Sequence, residues 1–253
     1  MEEKELLRIE SLCLRKDCLP EGASFTLSVV TGENVVLFGP EDSGIGSLCP
    51  IIARLEDEFE GEIFFNGRSI ESFDYFEAHQ YRTALGYLQK DYGLINNMSV
   101  EENVQLPLRY HSRLSTAGVN AKVDSLISEL GLEHCRTQRP VSLSSAETLR
   151  TAYARAIALD PALMLVEHAL EGQCLLNVQV FMNHLKFWAA EKHRATIFVT
   201  YEPERFVDFS NRFIMLYRGR VVFSGNRDEF LELDNEYLLQ YRISSTEGPM
   251  KNI

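Results

Sequence analysis

The sequence predicts an α/β fold in which one buried strand runs into a glycine-rich loop, an antiparallel β-layer flanks that strand, and a helical subdomain is inserted in the core. Three observations predict it. The apolar run Val35-Val36-Leu37-Phe38 leads straight into Gly39-Pro40-Glu41-Asp42-Ser43-Gly44-Ile45-Gly46-Ser47. Leu7 to Leu14 and Ala23 to Val30 alternate apolar and polar as half-buried strands do. Leu163 to Val166 and Thr196 to Thr200 are continuous apolar runs suited to parallel strands buried on both faces, with a helical stretch between them.

In chain order, Pro20-Glu21-Gly22 reads as the turn between the first two strands, and Leu48 to Leu55 as the helix after the loop. Gly61 to Gly67 reads as a further short strand closed by an Asn-Gly turn. From Ser99 to Leu143 the pattern is helical. Ser99 and Glu102 have capping-box spacing, and Ala121 to Leu130 is amphipathic until Gly131 stops it. Leu175 to Lys192 reads as a long helix whose Phe181, Leu185 and Trp188 form a core stripe. Phe213 to Tyr217 and Arg220 to Ser224 form a terminal strand pair, and Tyr237 to Tyr241 a docked helical turn. The expected division is an α/β core with its β-layer over 1–91 and 146–232, a helical subdomain over 92–145 and a tail over 233–253.

The loop has the context of a phosphate-binding P-loop and departs from its pattern. In G-x-x-x-x-G-K-[ST] the glycines let backbone N–H groups curl round a phosphate, the lysine neutralises it and the hydroxyl holds Mg²⁺. Gly39 and Gly44 keep the spacing, but Ile45 stands at the lysine position and Gly46 at the hydroxyl position. Shifting the frame makes Ser47 the hydroxyl, yet no lysine or arginine follows before Arg54.

A chain of 253 residues can bury a substantial core, and a net charge of −12 with no basic run argues against a nucleic-acid surface. Cys13, Cys18, Cys49, Cys135 and Cys174 are odd in number, scattered and without a His/Cys cluster, so reduced thiols are expected rather than disulfides or a metal site. His79, His111, His134, His184 and His193 share no ligand spacing, and Glu56 to Glu60 reads as a solvated acidic loop. The start Met1-Glu2-Glu3-Lys4-Glu5 is no signal peptide, and no apolar run spans a bilayer, so membrane association is expected through a partner without direct insertion.

Arg150 to Pro161, together with the order of elements, resembles the nucleotide-binding subunit of ABC transporters, specifically the helix after that family's signature and its link to the Walker B strand. Within the family, Leu106 to Ser115, and Tyr237 to Tyr241 followed by Glu247-Gly248-Pro249, are similar to the ATPase subunits of Mce/Mla-type lipid transporters. The resemblance implies an ABC-type P-loop NTPase fold. It places the signature on Leu143-Ser144-Ser145-Ala146-Glu147, where both glycines are replaced. It places the Walker B aspartate on Glu167, the catalytic glutamate on His168, the switch histidine on Tyr201, the Q-loop glutamine on Lys90 and the D-loop aspartate on Cys174. An adenine-stacking aromatic near Arg15 to Lys16 is missing.

These departures lead to the expectation of a degenerate, ATPase-inactive subunit: no catalytic residues, no cofactor at its own site, and ATP with Mg²⁺ only at a partner's site that Ser144 faces. The implied partners are a membrane permease, received by the surface of Gly86 to Leu94 and the helical subdomain, and an active ABC paralogue in a heterodimer. The implied location is the cytoplasmic face of the inner membrane, in a lipid-transport complex. Two other readings stand beside it. One is a soluble regulatory module; the other is a slow, unusual ATPase using Ser47, Glu167 and His168.

Overall fold

The computed structural model describes residues 4–13, 23–56, 59–192, 194–232 and 234–251. Leu14, Arg15, Lys16, Cys18, the turn Pro20 to Gly22, Asp57, Glu58 and His193 lie outside the described residues. Strands β1 (Glu5–Cys13) and β2 (Phe25–Val30) pair antiparallel, as their alternation predicts. Beyond β3 (Asn34–Phe38), strands β4 (Glu60–Phe65) and β5 (Arg68–Ser69) extend the layer to the order β2-β1-β4-β5. Their connection is the Asn66-Gly67 turn, with φ of 51° and 79°, the pair of left-handed residues a tight hairpin uses.

The second sheet has the order β10-β9-β3-β8-β7-β6. It comprises β3, β6 (Leu85–Leu88), β7 (Leu163–Glu167), β8 (Ala195–Thr200), β9 (Arg212–Tyr217) and β10 (Arg220–Gly225), with β3, β6, β7, β8 and β9 parallel and β10 an antiparallel edge. It is the middle layer. Val35 and Leu37 of β3 point into the core shared with the antiparallel sheet, while Val36 and Phe38 point into the core shared with the helices. The same split sends Leu163 and Leu165 one way and Met164 and Val166 the other. Burial on both faces is why these strands read as unbroken apolar runs.

The helix after the loop, α1 (Leu48–Ile52), ends before the expected Leu55. Arg54 takes a left-handed φ of 53° and the Leu55 N–H turns back to Pro50 O at 2.8 Å, which closes the helix early. Helix α2 (Tyr75–Thr83) precedes β6. The capping box holds for α3 (Val100–His111): Ser99 N–H donates to Glu102 Oε2 at 2.7 Å and Glu102 N–H to Ser99 Oγ at 3.2 Å. Helix α4 (Thr116–Glu129) starts before the expected Ala121, because Ser115 Oγ caps it by accepting from Gly118 N–H, and it ends at Gly131 with φ of 63°. The acidic stretch expected to be loop runs into β4 at Glu60.

Helices α5 (Ser145–Ile157) and α6 (Leu175–Glu191) cover the middle sheet, and Phe181, Leu185 and Trp188 are buried there. Two short helices, α7 (Arg227–Glu232) and α8 (Glu236–Arg242), close the chain against it. Asp160, in the left-handed region, joins the ends of this layer by pairing with Lys192 and with Arg194, whose side chain is only 4% exposed. Burial pushes the Asp160 carboxyl up, but the Lys192 hydrogen bond and the Arg194 charge outweigh it and hold it below its ordinary range. Such a carboxylate stabilises fully above its unfolded value of about 3.9 and loses its contribution as pH falls through the lower folded value.

Asp160→Asn keeps the turn, since asparagine also tolerates left-handed backbone, and leaves the buried Arg194 with Glu191 as its one remaining carboxylate among the described residues. The expected loss is about 1–2 kcal/mol at neutral pH, held down by solvent screening at the exposed end. Thermal melts across pH should show the gap to the native chain closing below about pH 3.9.

Candidate functional site

The loop begins where β3 leaves the sheet, and Gly39 is there because nothing larger fits. A Cβ at Gly39 would lie 2.1 Å from the backbone oxygen of Leu216. Ser43, closing the turn Glu41–Ser43, accepts the Gly219 N–H on its backbone oxygen at 3.0 Å, while its hydroxyl accepts from Ile45 N–H at 3.4 Å. Gly44 follows with φ of 88°. A right-handed residue followed by a left-handed one turns successive N–H groups toward one side and forms an anion-binding nest. The turn of such a loop is present, with the Ser43 N–H donating to Pro40 O at 2.9 Å and the Ile45 N–H to Ser43 Oγ inside the loop itself.

The side chains around it differ from the lysine-bearing pattern. Ile45 is fully buried in the core between the sheets, packed with the α1 residues Leu48 and Cys49. Gly46 is exposed, and a Cβ there would meet nothing within 4 Å. Ser47, the shifted-frame hydroxyl, is buried at the start of α1 and makes no side-chain cap. The loop thus keeps the turn and one hydroxyl but has no ammonium.

At the end of β7, Glu167 accepts a short hydrogen bond from Tyr87 OH on β6. Burial pushes its carboxyl up, and the Tyr87 hydrogen bond and the His168 charge offset only part of that. His168 follows in a left-handed turn with φ of 50°, its N–H donating to Val199 O at 2.8 Å. Its ring is 7% exposed, and Nδ1 lies 2.5 Å from Glu171 Oε1. Its Nε2 is buried and has no partner.

Tyr201 lies against the His168 ring at 4.3 Å between centroids, and Lys90 Nζ sits 3.3 Å from Glu171 Oε2. Burial, with Glu41 and Glu171 nearby, pushes the Tyr201 hydroxyl up. The fold therefore brings Glu167, His168, Tyr201 and Lys90 into one neighbourhood. Cys174 stays apart, exposed at the N-cap of α6 without a side-chain capping bond.

In the stretch 143–147, Leu143 packs against the core and Ser144 is the N-cap of α5. The Ser144 N–H and Oγ both lie 2.7 Å from Glu147 Oε2, and Oγ accepts from Glu147 N–H. Hydrogen bonds from the Ser144 hydroxyl and N–H, then the His134 contact, lower the Glu147 carboxyl to about 2. The Ser144 hydroxyl is thus occupied within this chain by its own helix. Ser145 Oγ accepts from Gln173 Nε2 at 2.6 Å, and Ala146 stands in the first turn of α5.

Three participants escaped sequence reasoning. Gln173, 5% exposed, also donates to Tyr92 OH at 2.7 Å and so ties the segment after His168 to the start of α5 and to the Gln89–Leu94 loop. Glu171 carries no signal beyond its i+3 spacing from His168. Tyr241, on α8, directs its hydroxyl to Tyr201 O at 2.9 Å and Gly39 O at 3.4 Å; its spacing from Tyr237 was the available hint. The histidines also meet where spacing predicted nothing: His79 and His111 lie 3.0 Å apart, and His134 lies 2.6 Å from Glu147. Tertiary packing of α2 on α3, and of the 133–135 turn on α5, brings them together.

The ABC transporter family description matches residues 23–170. A molybdate/tungstate import ATP-binding protein, WtpC of Pyrococcus abyssi, is 29% identical over 225 residues, 88% of this chain and 63% of that protein. A sulfate/thiosulfate import ATP-binding protein, CysA of Halalkalibacterium halodurans, is 30% identical over 217 residues, 83% of this chain and 58% of that protein. The chain thus spans about six-tenths of the length of these relatives. In fold it is similar to cbiO1 of Clostridium perfringens, part of an ABC transporter complex, with TM-score 0.79, 19% identity and coverage of 91% and 92% of the two chains. It is likewise similar to an ATP-binding cassette in a dimeric post-hydrolysis state bound to ADP and Pi, with TM-score 0.77, 23% identity and coverage of 88% and 99%.

These findings overturn the expectation of a non-enzyme that takes no cofactor at its own site. The relatives are named ATP-binding proteins, and the physical reason the expectation failed lies in the loop. Part of a P-loop's hold on phosphate comes from its backbone turn and not from side chains, and a Ser43-Gly44 turn of that kind is present. Weighing the loss at Ile45 and Gly46 as loss of the whole site gave side chains too much of the work.

The two departures should behave oppositely when reversed. Ile45→Lys forces an ammonium into a fully buried apolar position and should cost about 2–4 kcal/mol, read as a drop in Tm. Gly46→Ser enters open space and should leave stability within about 0.5 kcal/mol.

Proposed function

The chain belongs to the ABC transporter family, and on that premise we propose that it is the nucleotide-binding subunit of a membrane transport complex, with adenine nucleotide and Mg²⁺ at its own loop. The observation that carries this reading is the set of groups gathered beside the loop: Tyr241 OH reaches Gly39 O and Tyr201 O, the Tyr201 ring lies against His168, and Glu171 contacts both His168 and Lys90.

The nest at Ser43-Gly44 would hold phosphate oxygens, with the Ser47 hydroxyl and the Glu167 carboxylate as the Mg²⁺-side groups. Bound nucleotide supplies the phosphoryl group that water attacks. His168 is the residue placed to act on that water. Its Nδ1 lies 2.5 Å from Glu171 Oε1, and in the neutral tautomer that donates there Nε2 would carry the lone pair that accepts a proton. Lys90 balances the Glu171 charge. This is the slow-ATPase chemistry of Ser47, Glu167 and His168, with Glu171 added as the orienting group.

For partners, we propose a permease and a second ABC subunit facing Ser144. Tyr75, Phe76 and Tyr110 are each about three-quarters exposed, and the His79–His111 contact joins the helices that carry them. That apolar surface, with the Gln89–Leu94 loop, suits a permease segment. Among the described residues no helix is long and apolar enough to cross a membrane, so attachment at the cytoplasmic face would come through that partner.

The cargo has two readings. Leu106 to Ser115, on α3 and the turn after it, supports a lipid-transport complex of the Mce/Mla type, whereas the names of the relatives support oxyanion import.

Assembled with its native permease, the chain should release phosphate from MgATP above a buffer blank, and His168→Ala should lower turnover by about 10²-fold. Glu171→Gln should lower it less and change its pH profile. Unchanged turnover in His168→Ala would refute the assignment of Nε2. Identification of the co-purified permease and its bound cargo distinguishes lipid from oxyanion transport.

A further inference from the structure

Three side chains with metal-binding chemistry meet outside the site described above. His134 and Cys135 come from the short turn Glu133–Cys135, and Glu147 comes from the first turn of α5. One ligand atom from each lies within 4.8 Å of the others. His134 Nε2 and Glu147 Oε1 are already in contact at 2.6 Å, and the Cys135 sulfur is buried with only a 3.4 Å contact to Leu132 O.

We propose that His134, Cys135 and Glu147 bind one zinc-class divalent cation. Imidazole, thiolate and carboxylate together form a donor set that selects a borderline-soft ion over Mg²⁺ or Ca²⁺. With metal–ligand bonds of about 2.0–2.3 Å, tetrahedral ligand atoms sit about 3.3–3.8 Å apart. The His134–Glu147 contact therefore opens by about 1 Å, and the 61% exposed His134 side chain can swing that far. Cys135 releases its thiol proton to solvent as the metal–sulfur bond forms. Glu147 Oε2 stays on Ser144, so the cation uses Oε1 and leaves the cap of α5 intact. The open side of His134 leaves the fourth position to water. Burial and then the Glu147 charge push the Cys135 thiol up, Arg150 opposes them, and Glu133 adds the smallest rise.

The cation would pin the 133–135 turn to the first turn of α5 and hold in place the segment that presents Ser144. Nothing in the sequence announces this, because the third ligand comes from a different element. The site is independent of the nucleotide reading.

The test uses the whole chain, stripped with EDTA, with Zn²⁺ and Co²⁺ as probes. Calorimetry should show one equivalent of Zn²⁺ and a rise in Tm, and Co²⁺ should give a thiolate-to-cobalt charge-transfer band. Cys135→Ala should abolish the band, while His134→Ala and Glu147→Gln should each weaken Zn²⁺ binding at least tenfold. Absence of stoichiometric binding, absence of the band, or a band and affinity unchanged in His134→Ala would overturn the proposal. The His79–His111 pair would bind without a thiolate band, which separates it from this site. Should Cys135→Ala fail to fold, the spectrum of the native chain and the exposed His134→Ala variant still decide.

Discussion

The close approach of Gly39 to the backbone of Leu216 is the constraint on which the site depends. Strand β3 lies between β8 and β9 and is buried on both faces, so the chain leaving it has to pass over β9 with no space for a side chain. That contact sets the starting point of the loop. The Gly219 N–H to Ser43 O bond then fixes its far side on the β9–β10 turn. The loop is held at both ends by the same pair of strands. The nest at Ser43-Gly44 is a consequence of sheet packing.

Helix-facing and sheet-facing residues alternate along β3, and this makes one short strand answer to two cores. Phe38 meets Phe230 and Tyr241 at 5.7 and 5.4 Å between ring centroids, so the C-terminal helices pack on the last residue before the loop. Tyr241 then reaches past it to Gly39 O and Tyr201 O. The tail is thereby part of the site's frame. Its burial, which pushes the Tyr241 hydroxyl well up, keeps that hydroxyl protonated and able to donate at any physiological pH.

Most of the fold was legible because strand burial leaves a one-dimensional trace. Val35 to Phe38, Leu163 to Val166 and Thr196 to Thr200 are apolar on successive residues, and Ser99 and Glu102 announce a helix start by chemistry alone. The elements that were misjudged turn on backbone conformation that composition does not encode. Arg54 stops α1 by adopting left-handed backbone, and Ser115 starts α4 earlier than its apolar period suggests. For the site, the resemblance named Glu167, His168, Tyr201 and Lys90, and the fold brings them into one neighbourhood. It did not supply Glu171, Gln173 or Tyr241, whose roles come from side chains that meet across distant segments.

The same distinction explains why residue-by-residue comparison underrated the loop. Matching letters scores Ile45 as a lost lysine, and the structure shows what took that side chain's place: a fully buried aliphatic group in the same core as Leu48 and Cys49, tying the loop to that core. Such a position favours rigidity over charge. Pre-arranged groups lose less on binding than mobile ones. Electrostatic work that an ammonium would do at Ile45 then falls on groups fixed elsewhere. In this chain the cation beside His168 is Lys90, held at Glu171 and not in the loop.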